Sequence, residues 1–107
     1  FHENDFRRAL VKGMRNFILE LGRDFTFVGE EYLLQAGGED YRIDLLFFHR
    51  SLRCLVAIEL KVGKFKPEYV SKMDFYLEGL DRQLRKPDEN PSVGLLLRAS
   101  QNDEVVE

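Results

Sequence analysis

Asp44, Glu59 and Lys61 stand inside the apolar stretch YRIDLLFFHRSLRCLVAIELKVGKF, residues 41–65. Charged side chains are rarely buried without a partner, because leaving water is costly. Glu59 and Lys61 are two apart, so on a strand they face the same side. If Arg50 to Arg53 form the loop of an antiparallel hairpin, His49 pairs with Cys54 and counting back places Asp44 opposite Glu59. Directly opposed residues share a face, with Cβ atoms roughly 4.5–5.5 Å apart. A slip of one residue would send Asp44 to the other face. Two carboxylates that close repel each other unless positive charge lies between them. Lys61 can supply some, and a divalent cation supplies more. Oxygen ligands suit Mg²⁺ or Mn²⁺, which keep several waters and bind through one or two carboxylates plus substrate phosphate. An amine beside a metal-bound water can orient it or help remove its proton. Together these parts suggest hydrolysis of a phosphodiester. The competing explanation is a plain ion pair at a sheet edge, and for an isolated E-x-K in a strand it is the better one. The motif rises above it because Asp44 precedes Glu59 by fifteen residues, on the partner strand of an apolar hairpin.

The elements that must position these residues are legible in the periodicity. Phe6, Leu10, Met14, Phe17, Ile18 and Leu21 recur at helical spacing, which predicts an amphipathic helix from about Asp5 to Leu21, stopped by Gly22. FTFVGEEYLLQA (25–36) reads as a strand bulged at Gly29, and GGED (37–40) as a turn. Residues 41–49 and 54–62 are two more strands, and Gly63 breaks the second of them. Pro67 suits the first turn of a helix, whose stripe of Tyr69, Val70, Met73, Tyr76, Leu77, Leu80 and Leu84 runs to about Arg85. SVGLLLR (92–98) is a short buried type of strand, and a further helix is expected after Ser100. The order is α-β-β-β-α-β. A helix between the third and fourth strands favours a crossover and a mixed sheet flanked by helices on both faces.

Composition bounds the function. A chain of 107 residues is expected to form one domain, and its apolar content suffices for a core. The net charge of −3 advertises no global field for nucleic acid, which leaves only a local basic patch to serve that purpose. A single cysteine, Cys54, excludes an internal disulfide, and with two histidines a zinc site is not expected. Cys54 reads as a small core residue. No stretch suits a bilayer span and no secretory signal is evident, so a reducing, cytoplasmic setting without membrane contact is expected. A start at Phe1 rather than Met suggests a piece of a longer protein with a further domain.

Asp44 followed by Glu59-Leu60-Lys61 within this element order resembles the PD-(D/E)XK nuclease superfamily, the restriction-endonuclease-like fold. The longer text from VGEEYLLQA (28–36) to FYLEGLD (75–81) is similar to the YhcG-like bacterial family, over nearly the whole chain. The resemblance implies a divalent-metal-dependent DNA endonuclease domain, acting in repair, recombination or restriction, with a DNA-binding domain on its N-terminal side. It implies Asp44 and Glu59 as metal ligands, with the backbone carbonyl of Leu60 beside them, and Lys61 as the group that positions the attacking water. Ile43 stands where the superfamily name has Pro. Many members add a Glu from the first helix, for which Glu20 is the candidate. Some place a polar residue and a Tyr four apart on the helix after the motif; here these are Lys72 and Tyr76, with Lys where Gln is commoner. Mg²⁺ or Mn²⁺ is the implied cofactor and DNA the implied partner.

Other charged groups have plainer explanations. Lys64, Lys66 and Lys72 lie just past the motif and could contact phosphates, but each also suits a solvated face, as does the stripe of Arg8, Lys12 and Arg15. Glu30 and Glu31 are adjacent on a strand, so they are expected on opposite faces rather than as a dyad. His49 reads as structural or solvent-facing. The alternative to an enzyme is an inactive nuclease-fold module for DNA or protein binding, or for homodimer formation through the aromatic-rich strands. A scaffold has no physical need for three charges on one core hairpin, and that favours the enzyme.

Overall fold

The computed structural model describes residues 3–99. Its elements are α1 (Glu3–Leu21), β1 (Phe25–Ala36), β2 (Glu39–His49), β3 (Cys54–Val62), α2 (Glu68–Gln83) and β4 (Val93–Ala99). This is the α-β-β-β-α-β order that the periodicity predicts. The helix expected after Ser100 lies outside the described residues. β2 begins two residues earlier than expected, so the turn before it tightens to Gly37-Gly38.

The four strands form one sheet in the order β1-β2-β3-β4. β1 and β2 pair antiparallel, as do β2 and β3, whereas β3 and β4 run parallel through the α2 crossover. The sheet is therefore mixed, and both faces are covered. Val11 of α1 packs with Leu45, Phe47, Val56 and Ile58 on one face. Met73, Tyr76 and Leu80 of α2 pack with Leu34, Leu46 and Ala57 on the other. A central strand with two covered faces is expected to be largely apolar, and every residue from Cys54 to Leu60 is buried, Glu59 being the charged exception. Cys54 is a free, buried core residue.

Two details of packing depart from the plain pattern. Phe17, which its spacing places on the apolar stripe of α1, is 57% exposed. The stripe instead consists of Leu10, Val11, Met14 and Ile18, rotated toward the Val11 side. α2 approaches β1 so closely at Gly79 that a Cβ there would lie 2.9 Å from Leu34 Cδ2.

The β1–β2 pair does not keep one face throughout. Tyr32, Leu34, Tyr41 and Ile43 pack with the α2 cluster, but Leu45 and Phe47 pack with the α1 cluster. Strict alternation would put Ile43 and Leu45 on the same face, so β2 loses step at Asp44. The partner strand loses step opposite it: the ladder pairs Glu30 with Leu45 and Tyr32 with Ile43, flanking Glu31 and Asp44. Glu31 takes φ +47°, a left-handed conformation that few non-glycine residues adopt. The expected bulge near Gly29 is present one step earlier on the same strand.

Candidate active site

The β2–β3 ladder runs from His49↔Cys54 to Leu45↔Ile58, the register that the hairpin loop predicts. Beyond Leu45 the ladder ends, and Asp44 takes over its hydrogen bonding. The backbone N–H of Leu60 donates to Asp44 Oδ2 at 2.7 Å. The other oxygen, Oδ1, forms an ion pair with Arg7, which reaches over from α1. Arg7 Nη2 also lies 3.9 Å from Glu59 Oε2. Asp44 is 4% exposed and Glu59 3%.

Two acidic groups this deeply buried cannot both be ionised cheaply. Burial first, and then the Asp44 carboxylate beside it, push Glu59 up to about 8, while Lys61 and Arg7 pull it back. Glu59 Oε1 is buried without a hydrogen-bond partner among the described residues. A buried polar atom left unpaired is costly, so this oxygen is poised for a ligand.

Lys61 follows Glu59 on β3 and is half-buried. Its Nζ lies over the Tyr69 ring, 4.7 Å from the centroid, a cation–π contact that holds the ammonium at the start of α2. Tyr76 is buried on α2, and its hydroxyl is pushed up to about 12 by burial and then by the Glu59 and Asp44 carboxylates. It therefore stays protonated and belongs to the electrostatic surroundings of the pair. Lys72, four residues before it, is exposed, so the two do not share a buried face. Lys64 and Lys66 are also exposed, flanking Phe65, which rests edge-on against Tyr69 with ring centroids 6.1 Å apart.

The fold thus brings Asp44 and Glu59 together, sets Lys61 on the next same-face position of β3, and places Tyr76 within the field of both carboxylates. It does not bring Glu20 to them. Glu20 is exposed, and along α1 it lies roughly 20 Å from Arg7 by the helical rise. The α1 residue at the carboxylates is Arg7, which helical spacing did not single out. A signal for it existed: Arg7 precedes Val11 by one turn, so it is a charge on the buried stripe.

Glu30 and Glu31, adjacent on β1, both line a cleft of about 190 Å³ with Arg7, Arg8, Val11 and Asp44, and the Glu30 side chain faces α1. The left-handed backbone at Glu31 turns the strand over at this point. The basic stripe of α1 is likewise only partly solvated, because Arg15 pairs with Glu30 at 2.6 Å and stacks over Phe27.

These residues fit a hard divalent cation. The set offers two carboxylates, one with an unsatisfied oxygen, and the Leu60 carbonyl between Glu59 and Lys61 in the chain. Positive charge is needed there, as the Arg7 pairing demonstrates. Among the described residues no three Asp, Glu, His or Cys side chains group together as a complete cage. Among the described residues no helix is long and apolar enough to cross a membrane.

Comparison with known proteins agrees with this arrangement. The family described as the YhcG PDDEXK nuclease domain matches residues 1–107. The chain is 46% identical over 99 residues to the Escherichia coli K12 protein named "Putative nuclease YhcG", covering 92% of this chain and 26% of that protein. It therefore spans about a quarter of the length of that relative. Among solved structures, a repair endonuclease from Pyrococcus abyssi superimposes with a TM-score of 0.61 at 22% identity, over 94% of this chain and 39% of that one. An XisH family protein from Nostoc punctiforme gives 0.50 at 14% identity, over 86% of this chain and 67% of that one. At these identities the structural likenesses establish the fold, a restriction-endonuclease-like core.

Proposed function

The chain belongs to the YhcG PDDEXK nuclease domain family, and from that premise we propose that it is a divalent-metal-dependent DNA endonuclease domain that hydrolyses phosphodiester bonds. The observation that carries this reading is the pair of buried carboxylates, Asp44 and Glu59, with a buried Glu59 oxygen that has no partner among the described residues and Lys61 two positions on.

Asp44 and Glu59, with the Leu60 carbonyl, would hold the ion, Mg²⁺ or Mn²⁺. When bound, the ion supplies Lewis-acid activation of water and neutralises charge on the phosphate. The chain's own groups do the rest. The Leu60 N–H fixes one Asp44 oxygen, so the carboxylate keeps its orientation without depending on the ladder. Lys61, held in place by the Tyr69 ring, orients the attacking water and stabilises the negative charge that develops on the phosphate. Below about pH 8 Glu59 carries a proton that it must give up before it serves as a ligand. Lys64 and Lys66, exposed just past the motif, offer positive charge to flanking phosphates, with Lys72 further along the helix. Tyr76 remains a neutral hydroxyl beside the pair.

The net charge of −3 is unsuited to holding DNA unaided. A DNA-binding domain N-terminal to this one would supply most of the affinity, in a cytoplasmic protein that acts in repair, recombination or restriction. One observation favours the other reading, an inactive binding or dimerisation module: Arg7 already neutralises the carboxylates. Lys61 separates the two by its role: the nuclease reading needs it for cleavage, whereas an inactive module needs it only for its contact with Tyr69. Plasmid and oligonucleotide cleavage in Mg²⁺ or Mn²⁺ by the full-length protein is the test. Lys61→Ala is expected to lose roughly 10²–10⁴-fold in rate, the usual worth of a positioned proton-transfer or charge-stabilising group, while Mn²⁺ binding persists. Undiminished cleavage by that variant would sink the assignment.

A further inference from the structure

Arg7 approaches the carboxylate pair from α1, an element separate from the two strands that carry it. Asp44 has two oxygens, and one is committed to the Leu60 N–H. The other is the oxygen that Arg7 takes, and the same guanidinium lies 3.9 Å from Glu59 Oε2. A metal ion held jointly by Asp44 and Glu59 would use the open Glu59 Oε1 together with the Asp44 oxygen that Arg7 takes. Arginine is always charged, so the conflict cannot be relieved by losing a proton. Two cations on one carboxylate oxygen, in a site this buried, would repel strongly.

We propose that Arg7 is a resident counter-cation: it holds Asp44 and Glu59 together when no divalent ion is present and is displaced when one binds. This rests on the reading of Asp44 and Glu59 as metal ligands. The release has somewhere to go. Arg7 is not enclosed, its side chain being 33% exposed, and it lines the cleft whose wall includes Glu31. Glu30 and Glu31 border the same cleft, so acidic residues lie beside the path open to the displaced guanidinium. Metal affinity is consequently set by a competition inside the chain as well as by the ligands, and in the metal-free protein the buried Asp44 carboxylate is not left unpaired.

The experiment is a calorimetric titration of Mn²⁺ into the parent chain, Arg7→Met, Arg7→Lys and Asp44→Asn at one fixed pH, with thermal melts of each without metal. Methionine keeps an unbranched stem and removes the charge. Arg7→Met is expected to bind Mn²⁺ about tenfold or more tightly than the parent, the scale of a lost charged hydrogen bond to the competing group. Its metal-free melting temperature should fall and be restored by Mn²⁺. Arg7→Lys, which keeps a point charge but not the planar fork, should fall between the two, and it carries the test if the Met variant does not fold. A parent that binds weakly or not at all beside an Arg7→Met that binds supports the competition. A parent and an Arg7→Met of equal affinity overturn it while leaving the metal site intact. Absence of binding in the parent and in both Arg7 variants overturns the metal reading, and the competition with it.

Discussion

At its turn end the β2–β3 hairpin is a regular apolar ladder, with Phe47↔Val56 and His49↔Cys54 in register and Phe47 fully buried. At its open end the ladder has stopped, and Asp44, Glu59 and Lys61 occupy the space. Both ends are buried, but they are stabilised differently. The turn end relies on backbone pairing and close packing, which any similar apolar residues could supply. The open end relies on specific polar partners: a carboxylate in place of a ladder acceptor, and an arginine from a separate helix. The unsatisfied Glu59 oxygen lies where the β2–β3 ladder has ended, on a strand that stays paired with β4 on its other edge.

The strongest way to probe the difference is to truncate one residue at each end. Phe47→Ala should cost about 3–5 kcal/mol of stability in urea unfolding, through lost transfer energy and a cavity. Asp44→Ala should cost about 2–4 kcal/mol, because the Leu60 N–H and Arg7 both lose their partner. The two losses differ in kind. Removing Arg7 as well should recover part of the Asp44 loss, with a coupling of about 1.5–3 kcal/mol in a double-mutant cycle. No second substitution on α1 should recover the Phe47 loss. Equal additivity at both ends would break the distinction.

A pH series sharpens it further. Glu59 is raised from the ordinary carboxylate range to about 8, so the folded chain holds a proton that the unfolded chain has already released. The folded state then binds more protons between roughly pH 4.5 and 8, and metal-free stability must decline as pH rises through that window. The decline should amount to at least about 1.4 kcal/mol, the linkage worth of one pH unit. Glu59→Gln should flatten the curve. Substitutions at the turn end should leave its slope unchanged.

The smallest effect is expected at Glu20. Glu20→Gln should change stability by no more than about 0.5 kcal/mol, as for an ordinary surface position, and should leave Mn²⁺ affinity as it is. A marked loss of Mn²⁺ binding would return Glu20 to the metal site and require α1 to sit differently on the sheet.

Much of this molecule was legible in its sequence, because the relevant rules are local. Period-two alternation, helical spacing and a short hairpin loop were enough for the element order and for a register that holds as far as Leu45↔Ile58. The same counting placed Asp44 opposite Glu59, but the ladder ends one pair short of that and Asp44 meets β3 through the Leu60 N–H instead. What tertiary structure alone decided is which groups from elsewhere meet them. The rotation and height of α1 on the sheet put Arg7 at the carboxylates, left Phe17 exposed and kept Glu20 away. The loss of step at Glu31 and Asp44 turned two adjacent glutamates into one cleft. Tyr69, already visible on the second helical stripe, became a partner for Lys61 only when α2 folded back over β3. Spacing along a chain fixes faces within an element, whereas the packing of one element on another depends on side-chain contacts distant in sequence, and no local period encodes them.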